Sequence, residues 1–184
     1  MDMSVIIGLV ILALIIVALV FMYNNLVTLR NRVKNAWAQI DVQLQRRCDL
    51  IPNLIETVKG YAAHEKQTLD AVISARSAVV SAGSVEDKMQ AENMLTGTLK
   101  SLFAVAEAYP DLKANQNFLS LQQELSQTED KISYMRQSYN DVVMTYNTAI
   151  QTFPAVIFAS LFKFTEEPLY KAEEGATTVP QVSF

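Results

Sequence analysis

From residue 4 to residue 22 the chain reads SVIIGLVILALIIVALVFM, without one charged side chain. Beyond it the apolar residues thin into a stripe: Leu26, Leu29, Val33, Trp37, Ile40 and Leu44. Their spacing of about 3.6 is that of an amphipathic helix. A helix apolar all round needs an apolar solvent, whereas a striped one needs water on one side and protein on the other. The uniform run spans roughly 28 Å as a helix, close to the ~30 Å hydrocarbon core of a bilayer. We expect residues 1–22 to form a transmembrane signal-anchor, with Ser4, Gly8, Leu12, Val20 and Met22 along the span and Tyr23 at its interface. A cleaved signal peptide fits worse, because no basic residue precedes the run and no small-x-small site ends it. Only Asn24-Asn25 separates the two patterns. The span is therefore expected to continue as one helix into the following domain.

The remaining pattern is also helical. Pro52 predicts a kink or break over residues 46–53. A second helix is expected over residues 52–81, buried through Leu54, Val58, Tyr61, Leu69, Val72, Ile73 and Val79, with Gly60 a weak point inside it. Gly83 then supplies a stop and Ser84 an N-cap. A third helix is expected over residues 85–108, with Met94, Leu95, Leu99, Leu102, Phe103 and Ala106 inward, stopped by Tyr109-Pro110-Asp111. The clearest periodicity follows: Phe118, Leu121, Leu125, Thr128, Ile132, Met135, Tyr139, Val142, Tyr146 and Ala149 alternate steps of three and four. Such a seam suits packing inside a bundle or between subunits. Residues 153–164 are almost wholly apolar but too short to span a bilayer as a helix. From Thr165 onward, four Glu stand against one Lys among residues 165–184, and an extended or mobile tail is expected. The fold class is all-α: an N-terminal transmembrane helix continuing into a long-helix, antiparallel bundle-like domain over residues 23–152. An apolar terminal segment and mobile acidic tail follow over residues 153–184.

Composition narrows the chemistry. The net charge of −4 and the absence of basic runs argue against a nucleic-acid partner. One cysteine and one histidine leave no disulfide framework and none of the usual Cys- or His-rich metal sites. His64-Glu65 is the sole local acid–base pair, and adjacent helical residues point about 100° apart rather than forming a dyad. Neither a catalytic residue, a metal ligand nor a cofactor is expected. Arg46, Arg47, Asp49 and Pro52 form a candidate interaction patch, or an ion-pair network steadying the expected kink. Phe153, Ile157, Phe158, Leu161 and Phe162 are candidates for oligomer or membrane contact. Arg30, Arg32 and Lys34 follow the span before any acid, at Asp41, so the positive-inside rule places the N-terminus outside and the domain in the cytoplasm.

The run YNNLVTLRNRVKNAWAQIDVQLQRRCDLIPNLIETVKGYAAHEKQTLDAVISAR, residues 23–76, resembles the LemA family of bacterial membrane proteins. So do Tyr109-Pro110-Asp111-Leu112-Lys113 with Asn117-Phe118, then Gln123-Glu124-Leu125 with Thr128-Glu129. Tyr139-Asn140, Tyr146-Asn147, Phe153-Pro154, Ala159 and Leu161-Phe162 complete the pattern. Members often carry glycine in the terminal segment where this chain has Lys163. The resemblance implies a membrane anchor on a helical bundle, in a bacterial cytoplasmic membrane, with no accepted catalytic activity. It also implies a link, for some relatives, to the formation of organelle membranes.

The expected function is a non-catalytic, membrane-anchored scaffold that self-assembles and organises or shapes the bilayer. The alternative is an adaptor or sensor for other envelope proteins. The expected partners are the lipid bilayer, further copies of the chain and, under the alternative, those envelope proteins.

Overall fold

A computed structural model describes residues 3–171. Its regular elements are helices: α1 (Met3–Lys59), α2 (Lys66–Ser81), α3 (Val85–Ala106), α4 (Pro110–Lys113), α5 (Gln116–Gln151) and α6 (Ala155–Leu161). The chain is all-α, as its periodicity implies. Among the described residues it divides into two compact units: one comprises α1 up to Trp37 with Ser138–Leu169, and the other Ala38–Gln137 with the chain from Tyr170 on. We call them the stem unit and the bundle unit.

The bundle unit is built from the later part of α1, α2, α3 and the earlier part of α5. Asp41 meets Lys88 at 2.5 Å and Arg47 meets Glu92 at 2.7 Å, so α1 and α3 run parallel. Glu92 also meets Arg136 and Thr96 reaches Glu129, so α5 runs antiparallel to α3. Short turns reverse the chain on either side of α2. The result is an up-down-up-down arrangement around Ile51, Leu54, Val58, Val72, Leu95, Leu99, Leu102 and Leu125, all essentially without exposure. Ser84 caps α3 as its sequence predicts, accepting the Asp87 N–H at 3.0 Å.

Four expectations are corrected. There is no break over residues 46–53, because α1 runs on to Lys59 with Pro52 inside it. Proline removes the N–H that would bond the carbonyl four residues earlier. That carbonyl belongs to Cys48, and it instead accepts the Arg76 Nε–H at 2.8 Å. The reversal comes at Gly60, where Tyr61 and Ala62 both bond back to the Val58 carbonyl and α2 starts only at Lys66. Tyr61, Ile73 and Met94 are exposed: Tyr61 falls in the turn, and the other two sit beside rather than on their helices' buried stripes. Finally, the inward register of α5 slips. Phe118, Leu125, Ile132 and Tyr139 keep a spacing of seven, after which Val143 and Ile150 are buried in place of Val142 and Ala149. A straight helix drifts about 20° per heptad against a 3.5-residue repeat, so the inward face advances.

In the stem unit, α1 continues unbroken past Asn24-Asn25, with Leu26, Leu29 and Val33 buried. Trp37 packs edge-on against Tyr139, with ring centroids 5.7 Å apart. At the other end Tyr23 meets Phe162 and Phe164, with centroids at 5.0 and 5.9 Å. These pairs set α5 antiparallel to α1 within this unit. Residues 165–168, expected as the start of an extended or mobile tail, form neither helix nor strand but are held in place. Tyr146, Asn147 and Tyr139 donate to the carbonyls of Thr165, Glu167 and Pro168 at 2.9–3.0 Å. Residues 172–184, the rest of that tail, lie outside the described residues.

Candidate functional site

The most concentrated chemistry lies inside the bundle unit, where two arginines and two glutamates meet. Glu92 of α3 is 0% exposed. Its Oε1 accepts from Arg47 at 2.7 Å and from the Thr96 hydroxyl at 3.1 Å. Its Oε2 accepts from Arg136 of α5 and from the Tyr170 hydroxyl, the latter at 2.6 Å. Arg47 also pairs with Glu129 and donates to Thr96 at 2.9 Å. The Arg136 guanidinium lies 4.5 Å over the Tyr170 ring. Two cations face two anions, so the cluster is formally neutral. Each buried charge has a charged partner, the condition under which a low-dielectric site tolerates ions.

The sequence places these groups for definite reasons. In α3 the buried residues Met89, Glu92, Leu95 or Thr96, Leu99, Leu102 and Ala106 follow one three–four stripe, so Glu92 occupies a core position. Arg47 lies three residues past Leu44 and four before Ile51, on the same inward stripe of α1. Tyr170 arrives from the terminal segment, not from a helix.

Beside the cluster, a cleft of about 690 Å³ opens between α3 and α5. Arg47, Thr96 and Glu129 form its polar end, and Leu99, Phe103 and Leu119 its apolar wall. Burial pushes the Cys48 thiol up, and Arg76 only partly offsets this, so the thiol keeps its proton. Burial, then the Glu92 charge, pushes the Tyr170 hydroxyl far above its ordinary value; it serves as a neutral donor. Glu65 beside His64 accepts from Tyr109 at 2.9 Å. Among the described residues no three His, Cys, Asp or Glu side chains gather as a metal site would require.

The candidate patch is split by this geometry. Arg47 points into the core, while Arg46, Asp49 and Pro52 stay exposed. Arg46 lies 3.7 Å from Glu124, and Asp49 accepts from Gln45 at 2.8 Å. Both arginines reach other helices. The sequence reading missed Glu92, Thr96, Arg136 and Tyr170. The available clue was Glu92 in phase with the apolar stripe of α3.

The apolar candidates lie in the stem unit. Ser4, Gly8, Leu12 and Val20 are exposed along α1, and Met22 is half-buried. Phe153, Ile157, Leu161 and Phe162 are exposed, whereas Phe158 is half-buried. α1 is the one helix among the described residues that is alone long and apolar enough to cross a membrane.

The LemA family model matches residues 36–184. The chain belongs to the LemA family. It is 29% identical over 156 residues to the protein LemA of Metamycoplasma hominis, covering 82% of this chain and 69% of that one. It is 24% identical over 189 residues to magnetosome protein MamQ 2 of Paramagnetospirillum magneticum, covering 89% and 70%. Magnetosome protein MamQ of Magnetospirillum gryphiswaldense is 24% identical over 196 residues, with 91% and 72% covered. None of these relatives is named as an enzyme. With the apolar helix α1, the kinship makes this LemA-family chain a membrane-associated helical protein.

Proposed function

We propose that this LemA-family protein is a non-catalytic scaffold, anchored by residues 4–22, whose copies associate and thereby organise the surrounding bilayer. The observation that carries the reading is α1 itself. A single helix, Met3–Lys59, holds the exposed apolar run at one end and supplies the core of a bundle at the other, with no loop between them. A tether designed only for retention does not need that continuity. The titratable groups of the bundle support a structural role, since Arg47, Glu92, Glu129 and Arg136 are spent on one another. The magnetosome names of two relatives fit a role in a membrane compartment. Arg30, Arg32 and Lys34, following the span, favour a cytoplasmic bundle and an outside N-terminus.

The test is the mass of the full-length protein extracted in mild detergent. A discrete multiple of the 20.5 kDa chain is expected, and a strictly monomeric mass overturns the scaffold reading. A second reading, an adaptor for other envelope proteins, is favoured by the cleft beside Arg47 and Glu129. It requires a stoichiometric crosslinked partner that is lost on reversing the charge of exposed Arg46.

A further inference from the structure

We propose that α6 lies in the interfacial layer of the bilayer beside the end of the span, with Phe153, Ile157, Leu161 and Phe162 inserted among the lipid headgroups and upper acyl chains. The inference rests on reading residues 4–22 as the membrane span. It makes the bilayer, not a protein, the surface that covers this face.

Three observations converge on it. The first is position. Leu19, Val20 and Tyr23 line one cleft together with Phe158, Leu161 and Phe162, and every residue lining it is apolar or aromatic. Tyr23 touches the Phe162 ring directly. If Leu19 and Val20 lie within the hydrocarbon, α6 is held at its edge. The second is orientation. α5 runs antiparallel to α1 in this unit, and α6 turns away from α5 by 94°. An element lying across the axis of a spanning helix lies along the membrane plane.

The third is chemistry. α6 and its flanking residues invert the usual surface helix: the small Ala159 faces protein and Phe158 is half-buried, while Ile157 and Leu161 of α6, Phe153 before it and Phe162 after it are exposed. Phe153 is 81% exposed, Leu161 70%, Ile157 56% and Phe162 51%. Residues 153–162 carry no charge. Interfacial helices bury such an apolar face at the boundary of headgroups and acyl chains; here the opposite face packs on protein through Ala159. Lys163 follows at once, and its long stem suits a position where the ammonium reaches the headgroups.

The experiment uses the full-length protein in liposomes with one environment-sensitive label per chain. Buried Cys48 is first replaced by Ala. Labels are placed at Ile157→Cys or Leu161→Cys, at Leu12→Cys within the span, and at Asn35→Cys, which lies about 20 Å along α1 past Met22. Quenchers are carried either near the headgroups, at mid-bilayer or in water. The expected result is that the α6 labels are quenched several-fold more by the shallow lipid quencher than the Asn35 label is. They should also be quenched less than the Leu12 label by the mid-bilayer one. Quenching of the α6 labels by the aqueous quencher alone, with Leu12 deep, overturns the proposal and leaves the anchor standing. Protection from all three quenchers also overturns it, because a second protein copy then covers the face. A Leu12 label reached only from water removes the anchor reading, and this inference with it.

Discussion

The bundle unit and the stem unit use charge and apolar surface in opposite ways. In the bundle, Glu92 loses all contact with water and is held by Arg47, Arg136, Thr96 and Tyr170, while the surrounding leucines fill the core. In the stem, large residues such as Phe153 and Leu161 face outward, in a run, residues 153–162, that carries no charge. A water-soluble domain pays a penalty for an exposed apolar face only if water is what it meets. Under the proposed membrane reading the contrast is one of two solvents, although two continuous helices, α1 and α5, contribute to both units.

The sharpest way to break the contrast is Glu92→Ala. It takes the anion from Arg136 and leaves Arg47 only Glu129, and loss of one partner from a buried ion pair costs about 3–5 kcal/mol. Thermal melting followed by circular dichroism is expected to fall by on the order of 10 °C for a chain of this size. A shift near zero would mean that the cluster is hydrated and not a true interior.

Tyr170→Phe removes one donor to that carboxylate and is expected to cost about 1.5–3 kcal/mol in urea unfolding. It also carries a pH signature. The folded Tyr170 hydroxyl has a raised pKa, so its contribution is complete below the ordinary tyrosine value of about 10 and is lost as pH rises above it, where only the unfolded chain ionises. Stability measured from pH 8 upward should decline above about pH 10, and the decline should be shallower in Tyr170→Phe.

Next in size is the replacement of Arg76, whose guanidinium satisfies the Cys48 carbonyl left without a helical partner by Pro52. Arg76→Met is expected to cost about 1–3 kcal/mol, the range for an orphaned buried acceptor. In a Pro52→Ala background the helical N–H is restored and the cost should shrink. Equal costs in both backgrounds would show that the arginine does not act through that carbonyl.

The smallest effects belong to the stem. Lys163 adopts φ 55°, the left-handed region in which an L side chain costs roughly 1 kcal/mol more than glycine. Lys163→Gly should therefore stabilise the protein slightly in detergent melts. The double substitution Ile157→Ser and Leu161→Ser should change melting by less than about 0.5 kcal/mol, the usual limit for exposed sites. A large loss would show that these side chains support the folded core.

Much of this organisation was legible along the chain because it depends on local pattern. The uninterrupted run over residues 4–22, the stripe from Leu26 to Leu44 and the Ser84 cap each follow from spacing or from one side chain's reach. Pro52 misled for a tertiary reason: whether a proline breaks a helix depends on who satisfies the freed carbonyl, and Arg76 comes from another helix. The polar cluster was hidden similarly. Arg47 reads as surface beside Arg46, and only the pairing of α1, α3 and α5 turns one inward and leaves the other outside. Tyr170 had no legible role, since residues 165–170 have no periodicity and their order comes from donors on α5. The candidate residues were therefore unevenly visible: the apolar residues of the stem stood out in the sequence, and Arg47 was singled out in the bundle, while its partners Glu92, Glu129 and Arg136 emerged only with the fold.

The central claim, that anchored copies of this chain assemble, is tested most directly in lipid by pulsed dipolar spectroscopy. The full-length protein carries one spin label at Asn35→Cys in the Cys48→Ala background and is reconstituted at high lipid-to-protein ratio. The account predicts clear dipolar modulation with a narrow distance distribution that survives further dilution with lipid. Modulation that vanishes on dilution, leaving isolated labels, would contradict it.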